Sequence, residues 1–412
     1  MATNPYTNRV YKSNGEKIID ISDSTVTAAD LPSGVVAYNG AGARIVGEAP
    51  TLWGLEADFL SGNYTRLEGA VGRNGGTDFD GFTPWQRRRC NMADDGTINA
   101  YLGDSNYIED GTNGQVMIEQ PKFYYKVEPI TVENKRLRKA RYYISSIPRE
   151  GFKIHPAFIG MDGNIKDYVY EGAYEGYVDN FYTKLYSTAG HSFYSTPDLG
   201  RSSARYYASQ RGAHWQQMNI QIACMDMLLM IVEYGQFNMQ AAIGNGKQNG
   251  STGWTTGTLS SYGNGTYGNK FRTNEGVQWR GNENPWGNQG EWIDGINIYD
   301  TNCYIANTYS YDDDTSNNYS LVDYQIATGN NYISAFGYDE NYDWLFLPIV
   351  CGGNSAFPIG DVMSWQTGGR WRGFLKSWPN PNDIFANGAF GVSSNQSAGY
   401  NGYVTGRLTY IL

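Results

Sequence analysis

Few residues in this chain have the types and spacing that chemistry requires. The three histidines, His155, His191 and His214, are far apart and lack metal-ligand spacing. His214 opens a helical pattern and reads as a structural or capping residue. "GNGTYG" (263–268) has the letters of a dinucleotide loop, but it follows no apolar strand and opens no helix, so the context fails. There is no P-loop and no G-x-S-x-G elbow. "YDDDT" gathers Asp312, Asp313 and Asp314, carboxylates of the kind that hold calcium, without the alternating spacing or glycine of an EF-hand. It reads as a solvated acidic turn. The Asp- and Gly-rich run 91–114 reads as β-turn chemistry, with calcium as the alternative. Glu283, Glu291 and Asp294 are the carboxylates that would pair across a glycosidase cleft. No catalytic residue, metal site or cofactor is otherwise expected.

A stronger signal lies near the C-terminus. Trp365, Trp371, Phe374, Trp378, Phe385, Phe390, Tyr400 and Tyr403 alternate there with Gly, Ser, Asn and Arg. Tyr and Trp offer large contact area at small entropic cost, and Ser, Asn and Gly offer adaptable hydrogen bonding. That mixture suits a binding surface. Arg370, Trp371, Arg372, Phe374, Lys376, Trp378, Ser393, Asn395, Gln396, Tyr400, Asn401 and Tyr403 are the candidates for exposed, ligand-binding side chains.

These residues need a frame. "HWQQMNIQIACMDMLLMIVEYG" repeats apolar residues at three- and four-residue steps and predicts a long helix buried on most sides, stopped by Gly235. A second helix is expected within 197–212. "PKFYYKVEPITV" and "LRKARYYISSI" flank "ENKR" as a hairpin. "YDWLFLPIVCG" reads as a buried strand, and "VTGRLTYIL" as one strand with Val404, Leu408, Tyr410 and Leu412 on one face. The stretches 244–275 and 300–343 read as polar insertions without periodicity.

At 412 residues the chain exceeds one ordinary core, so two or three domains are expected. Aromatics at 15% argue against disorder. A net charge of −10 argues against nucleic acid and anionic membranes, and no apolar run is long enough to insert in a bilayer. The basic runs Arg87–Arg89 and Lys135–Lys139 read as solvated turns or partners for carboxylates. The four cysteines, Cys90, Cys224, Cys303 and Cys351, form no CxxC pattern. With no apolar signal stretch near residue 1, buried free thiols in a reducing cytoplasm are expected. Residues 1–50 carry short β-like pieces (17–21, 34–38, 44–46) with "NGAG" (39–42) as a hairpin signal. Such a hairpin buries no core alone, so it packs elsewhere or self-associates.

Two segments carry a family resemblance. "VQWRGNENPWGNQGEWIDGINI" (277–298) resembles the core of C-type-lectin-like folds of the formylglycine-generating-enzyme type. "GGRWRGFLKSW…NGAFGVSSNQSAGYNGYVTGRL" (368–408) resembles the variable region of proteins diversified by retroelements, at Gly368, Gly369, Trp371, Gly388, Phe390, Gly406, Arg407 and Leu408. Upstream pieces such as "RRRCNMADDGTINAYLGD" and "PREGFKIHPAFI" look like phage tail or receptor-binding proteins of gut bacteria, and the N-terminal hairpin resembles a small repeat of phage tail proteins. Cys303 and Cys351 do not match the reactive pair of the enzymes of this fold, and the Glu-Pro-Asn and Gln-Pro-Asp tripeptides of calcium-dependent lectins are absent.

The resemblance implies an α+β, C-type-lectin-like fold with two helices, a central antiparallel sheet and long polar loops. It implies an attachment or trimerisation region at 1–50, a β-rich domain at 51–150 and a ligand-binding domain at 151–412 with its variable-type face at about 368–403. Trp279, Trp286 and Trp292 would be core. The implied function is non-enzymatic host recognition at a phage tail tip, on a virion assembled in the host cytoplasm. The partners would be a cell-surface receptor (protein or glycan), other tail proteins and two further copies of the chain. A tail-associated glycan-degrading enzyme and a bacterial surface-displayed variable protein are the alternatives.

Overall fold

The computed structural model describes residues 9–28, 31, 34–179, 181, 183–191, 199–246, 255–259, 276–365, 368–376, 388–395 and 404–412. Among the described residues it is 40% strand and 12% helix, with three α-helices and a large curled mixed sheet. The expected α+β fold with two helices and one central antiparallel sheet is therefore corrected to a mostly β protein. The reason lies in segments that looked like loops. Within 300–343 the chain forms strands at Asn302–Ala306, Tyr319–Gln325 and Gly329–Phe336. In the second of these, Val322 and Tyr324 are buried while Leu321, Asp323 and Gln325 face solvent. The exposed Leu321 beside the buried Val322 breaks the apolar/polar alternation that marks a strand in sequence.

The buried helix falls where its periodicity placed it. Helix α1 spans Arg201–Ser209, α2 spans Ile220–Tyr234, and a short α3 spans Met239–Ala242. Asn219 caps α2 by accepting from the Ile222 N–H, and Gly235 ends it in the left-handed conformation at φ 69°. Every residue from Ile222 to Glu233 is buried. An apolar helix without a polar face must be covered on all sides, and it packs against strands of the nine-stranded and five-stranded sheets.

Three larger sheets carry most of the strands. A five-stranded antiparallel sheet has the order 153–154, 124–133, 136–145, 52–58, 63–68. Its central hairpin turns at Asn134 and Lys135, both at positive φ, where "ENKR" placed the turn. A six-stranded antiparallel sheet has the order 215–217, 408–410, 168–172, 115–121, 88–92, 98–101. The nine-stranded mixed sheet runs 319–325, 302–306, 290–299, 371–376, 392–395, 362–365, 329–336, 348–351, with 404–405 added parallel to 290–291. Only Pro348–Cys351 of the expected strand "YDWLFLPIVCG" is a strand; Trp344–Leu347 is buried without strand pairing.

One hydrophobic cluster runs from Trp53 through α2 and Trp279 to Ile411. The expected seam at residue 150 thus crosses a shared core, and strand 408–410 lies in the same sheet as 88–92. Residues 9–46 differ. Strands 9–11 and 17–20 pair only with each other, as do 36–38 and 44–46, and Val10, Tyr11, Ile18, Ile19, Val36 and Tyr38 are exposed. Among the described residues no helix is long and apolar enough to cross a membrane. Cys90, Cys224 and Cys303 are buried free thiols, and Cys351 is a half-buried one.

The chain end joins two sheets. The expected single strand 404–412 is two strands: 404–405 in the nine-stranded sheet and 408–410 in the six-stranded one. Gly406 and Arg407 make the crossing. A Cβ on Gly406 would stand 3.0 Å from both Ala204 Cβ and Gln217 Oε1. The fully buried Arg407 guanidinium donates to Glu291 Oε1 (2.8 Å) and to the carbonyls of Gly172 (3.0 Å), Glu283 (3.0 Å) and Asn284 (3.1 Å). Removing one partner of such a pair leaves a buried charge uncompensated. Arg407→Ala is expected to cost about 3–5 kcal/mol in urea unfolding. A second substitution, Glu291→Gln, is expected to recover part of that loss. A loss below about 1 kcal/mol would exclude this crossing as a main tie.

Candidate ligand-binding face

The hairpin 290–306 and the strand 371–376 build the face that the C-terminal aromatics suggested. Tyr299 pairs with Asn302 across the turn Asp300–Thr301, and Asp300 has a positive φ of 58°. The Asp300 carboxylate accepts from the Gly368 N–H (3.3 Å), its carbonyl accepts from Trp365 Nε1 (3.0 Å), and its own N–H donates to the Arg370 carbonyl (3.3 Å). This turn therefore braces the segment entering strand 371–376. Opposite Tyr299 in register is Trp371. The Trp371 ring meets Tyr299 edge-on at 5.2 Å between centroids and Tyr304 at 5.6 Å. All three are partly exposed, with the exposed Arg370 beside them. Offset and edge-on aromatic contacts of this kind hold ring orientation while leaving ring area free.

The remaining candidates divide. Arg372 is only 9% exposed, Phe374 2% and Lys376 1%, so the expectation that these three face solvent is corrected. Strand 371–376 is an interior strand, between 290–299 and 392–395, and its Phe374 side joins the main core. Its other side is closed further along by Leu375 packing with Trp292 and Val404. Only the Arg370–Trp371 end emerges. Burial pulls the Lys376 amine below its usual pKa, against the attraction of Asp226 and Glu291. Burial and the neighbouring Arg370 lower Arg372. Ser393 is half-buried, and Asn395 pairs with Gly373 at the end of its strand. Trp378, Gln396, Tyr400, Asn401 and Tyr403 lie outside the described residues.

Sequence reasoning missed Tyr299 and Tyr304. The available signal was the alternation in "INIYDTNCYIA", which puts Cys303 and Ile305 inward and Asn302 and Tyr304 outward.

The other motif residues hold the scaffold. Trp279, Trp286 and Trp292 are all fully buried, as expected. Their indole N–H groups donate to Glu233 Oε2 (2.9 Å), the Gly244 carbonyl (3.0 Å) and the Leu199 carbonyl (2.7 Å). The three carboxylates proposed for a cleft do not share one. Glu283 accepts from the N–H groups of Gly257 (2.9 Å) and Leu259 (3.0 Å), Glu291 binds Arg407, and Asp294 binds Arg205 (2.8 Å) and Gln217 (2.7 Å). Asp313 is not a solvated turn residue, because Arg201 (2.8 Å) and Arg205 (2.6 Å) both reach it. In 91–114, Asp95, Asp104 and Asp110 accept from the nearby N–H groups of Thr97, Tyr101 and Thr112, which is turn chemistry. Among the described residues no group of three His, Cys, Asp or Glu side chains is arranged to hold a metal. His214 Nδ1 lies 2.8 Å from the Ile411 carbonyl, a structural tie to the last strand. The Arg87–Arg89 run is a carboxylate partner: Arg87 binds Glu171 and Asp226, Arg88 binds Glu119, and Arg89 binds Glu109.

No protein-family model matches the chain, and no curated protein matches it. The site therefore has to be judged on its own geometry.

One buried carboxylate ties the candidate variable region to the core. Asp361 accepts from the N–H groups of Gly388 (3.0 Å) and Phe390 (2.8 Å) and from Gln240 Nε2 (2.6 Å). A Cβ at Gly388 would lie 2.3 Å from Asp361 Oδ1, so glycine is required there. Phe390 inserts among Phe237, Phe336 and Phe346 at 5.4–5.6 Å between centroids. Burial pushes the Asp361 carboxyl up from 3.8 to about 7. A folded-state pKa above the unfolded value gives stability that is complete below the unfolded pKa and is lost as pH rises through the folded one. The Asp361 contribution therefore declines between about pH 4 and pH 7. Asp361→Asn removes this dependence, so the variant's destabilisation relative to the natural protein is expected to be larger at pH 5 than at pH 8 in paired thermal melts. Equal destabilisation at both pH values would contradict it.

Proposed function

We propose that the protein is a receptor-binding protein of a phage tail tip. It displays an aromatic and polar face on a rigid β scaffold to a molecule on the bacterial surface. The observation that carries this reading is the half-exposed cluster of Trp371, Tyr299 and Tyr304 beside the exposed Arg370. Binding hot spots are enriched in Trp, Tyr and Arg, and a preset aromatic surface loses little entropy on contact. A second support is the anchoring. The ends of the described segments around 377–387 and 396–403 are fixed by Asp361, by Phe390 and by the Gly406–Arg407 crossing. The motif resemblances at 277–298 and 368–408 point the same way.

Labelled full-length protein is expected to bind saturably to some members of a panel of intact gut bacteria. Trp371→Ala is expected to weaken that binding by at least about tenfold, at an unchanged melting temperature. Exchanges at Gln396, Tyr400 or Tyr403 are expected to change which cells are bound. If no strain is bound, or Trp371→Ala binds as well as the natural protein, the reading fails.

Trimer formation through the first 50 residues belongs to the same proposal. It rests on the two hairpins of residues 9–46, whose apolar residues are exposed on short strands that cannot bury a core alone. In sedimentation the full chain is expected to run as a trimer and a chain starting at residue 51 as a monomer. Two monomers would reject it.

A further inference from the structure

A second surface feature lies outside the Trp371 face. We propose that the groove between α1 and the Tyr309–Tyr311 segment is a binding site for a neutral carbohydrate, a hexose or N-acetylhexosamine unit. The site is independent of the receptor-binding reading.

The helix sequence builds one wall. In "RSSARYYAS" (201–209), Ala204 and Ala208 turn inward onto the cluster containing Leu408 and Trp215. Ser202, Tyr206 and Ser209, at steps of four and three, then share the outward face. The opposite wall is Tyr309 and Tyr311, and Trp215 and Gln216 close the bottom. Tyr309 is held by a bond from its hydroxyl to the Ile159 carbonyl (2.5 Å). The groove has a volume of about 320 Å³. That is near the lower end, roughly 300 Å³, of small-molecule pockets.

Its chemistry selects the ligand class. Arg205 lines the groove, but its guanidinium is engaged by Asp294 (2.8 and 2.5 Å) and Asp313 (2.6 Å). Arg201 shares Asp313, so two cations face two carboxylates and the groove offers no net charge to an anion. A neutral ligand fits that balance. Tyr206 is 58% exposed and meets Tyr207 edge-on at 5.4 Å, leaving a ring surface at the groove for the apolar C–H side of a sugar. Gln216 is nine-tenths buried. It donates through Nε2 to the Tyr309 carbonyl (3.1 Å), while its Oε1 finds no donor among the described residues. Aromatic walls combined with a few fixed polar groups and no net charge describe a sugar site better than a phosphate, carboxylate or purely apolar one.

The test is saturation-transfer NMR on the full chain with the methyl glycosides of glucose, galactose, mannose and N-acetylglucosamine. Each is used at about 10 mM, tenfold above a roughly 1 mM Kd. At least one glycoside is expected to receive saturation and to shift the tryptophan fluorescence. Tyr206→Ala is expected to reduce its affinity at least fivefold with the melting temperature unchanged, since Tyr206 is largely exposed. Trp371→Ala is expected to keep glycoside binding intact, which separates this site from the aromatic face. The proposal is overturned if none of the four glycosides binds, if Tyr206→Ala binds equally well, if Trp371→Ala abolishes binding, or if inorganic phosphate competes for the site.

Discussion

Glu233 lies in the last turn of a helix buried on every side, and four donor contacts reach its carboxylate. Trp279 Nε1 and Arg280 Nε donate to Oε2, both at 2.9 Å; Arg280 Nη2 (2.9 Å) and the Gly76 N–H (3.0 Å) donate to Oε1. Arg280 continues to the carbonyls of Trp85 (2.8 Å) and Gly76 (3.0 Å). One ion pair thus joins α2, the segment 76–85 and the turn of the hairpin 278–283. Desolvating a carboxylate costs several kcal/mol unless a cation and further donors meet it there. Here the alternatives that leave Glu233 unpaired are excluded, so this network selects how the layers stack around α2. Arg87 with Asp226 and Glu171 repeats the device in the middle of the same helix. Arg407 with Glu291 repeats it at the chain end.

The same constraint decides which residues are free to bind. Arg280, Glu283, Trp286, Trp292 and Asp294 of the motif at 277–298 are engaged in the core. The two proposed binding surfaces lie elsewhere, where Tyr299, Tyr304 and Trp371 emerge from the nine-stranded sheet and on the outer face of α1. Both places stand on fixed elements. A rigid support lets surface residues change without moving the frame, and it lowers the entropy lost on contact.

Some of this was legible in the residue pattern. The period of α2, its glycine stop and the turn at Asn134–Lys135 follow from local composition, and the resemblance at 277–298 implied the buried tryptophans at 279, 286 and 292. The strands at 302–306 and 319–325 did not follow, because outward residues such as Tyr304 and Leu321 break a clean apolar/polar alternation. The candidate face was half legible. Trp371 and Arg370 emerge, but Phe374 and Lys376, in the same six-residue strand, are buried. Alternation along a strand distinguishes two faces, yet it does not say whether each face is later covered.

By itself the sequence determined the elements whose signal is local. These are a helix apolar on all sides and hairpins set by turn residues. Tertiary structure alone decided that the nine residues from Val404 to Leu412 divide between two sheets, that Asp294 and Asp313 neutralise Arg201 and Arg205, and that Tyr299 and Tyr304 join Trp371. The physical reason is that burial and charge pairing are properties of contacts between segments distant in the chain. Arg407 meets Glu291 across more than a hundred residues, and no local window contains that information.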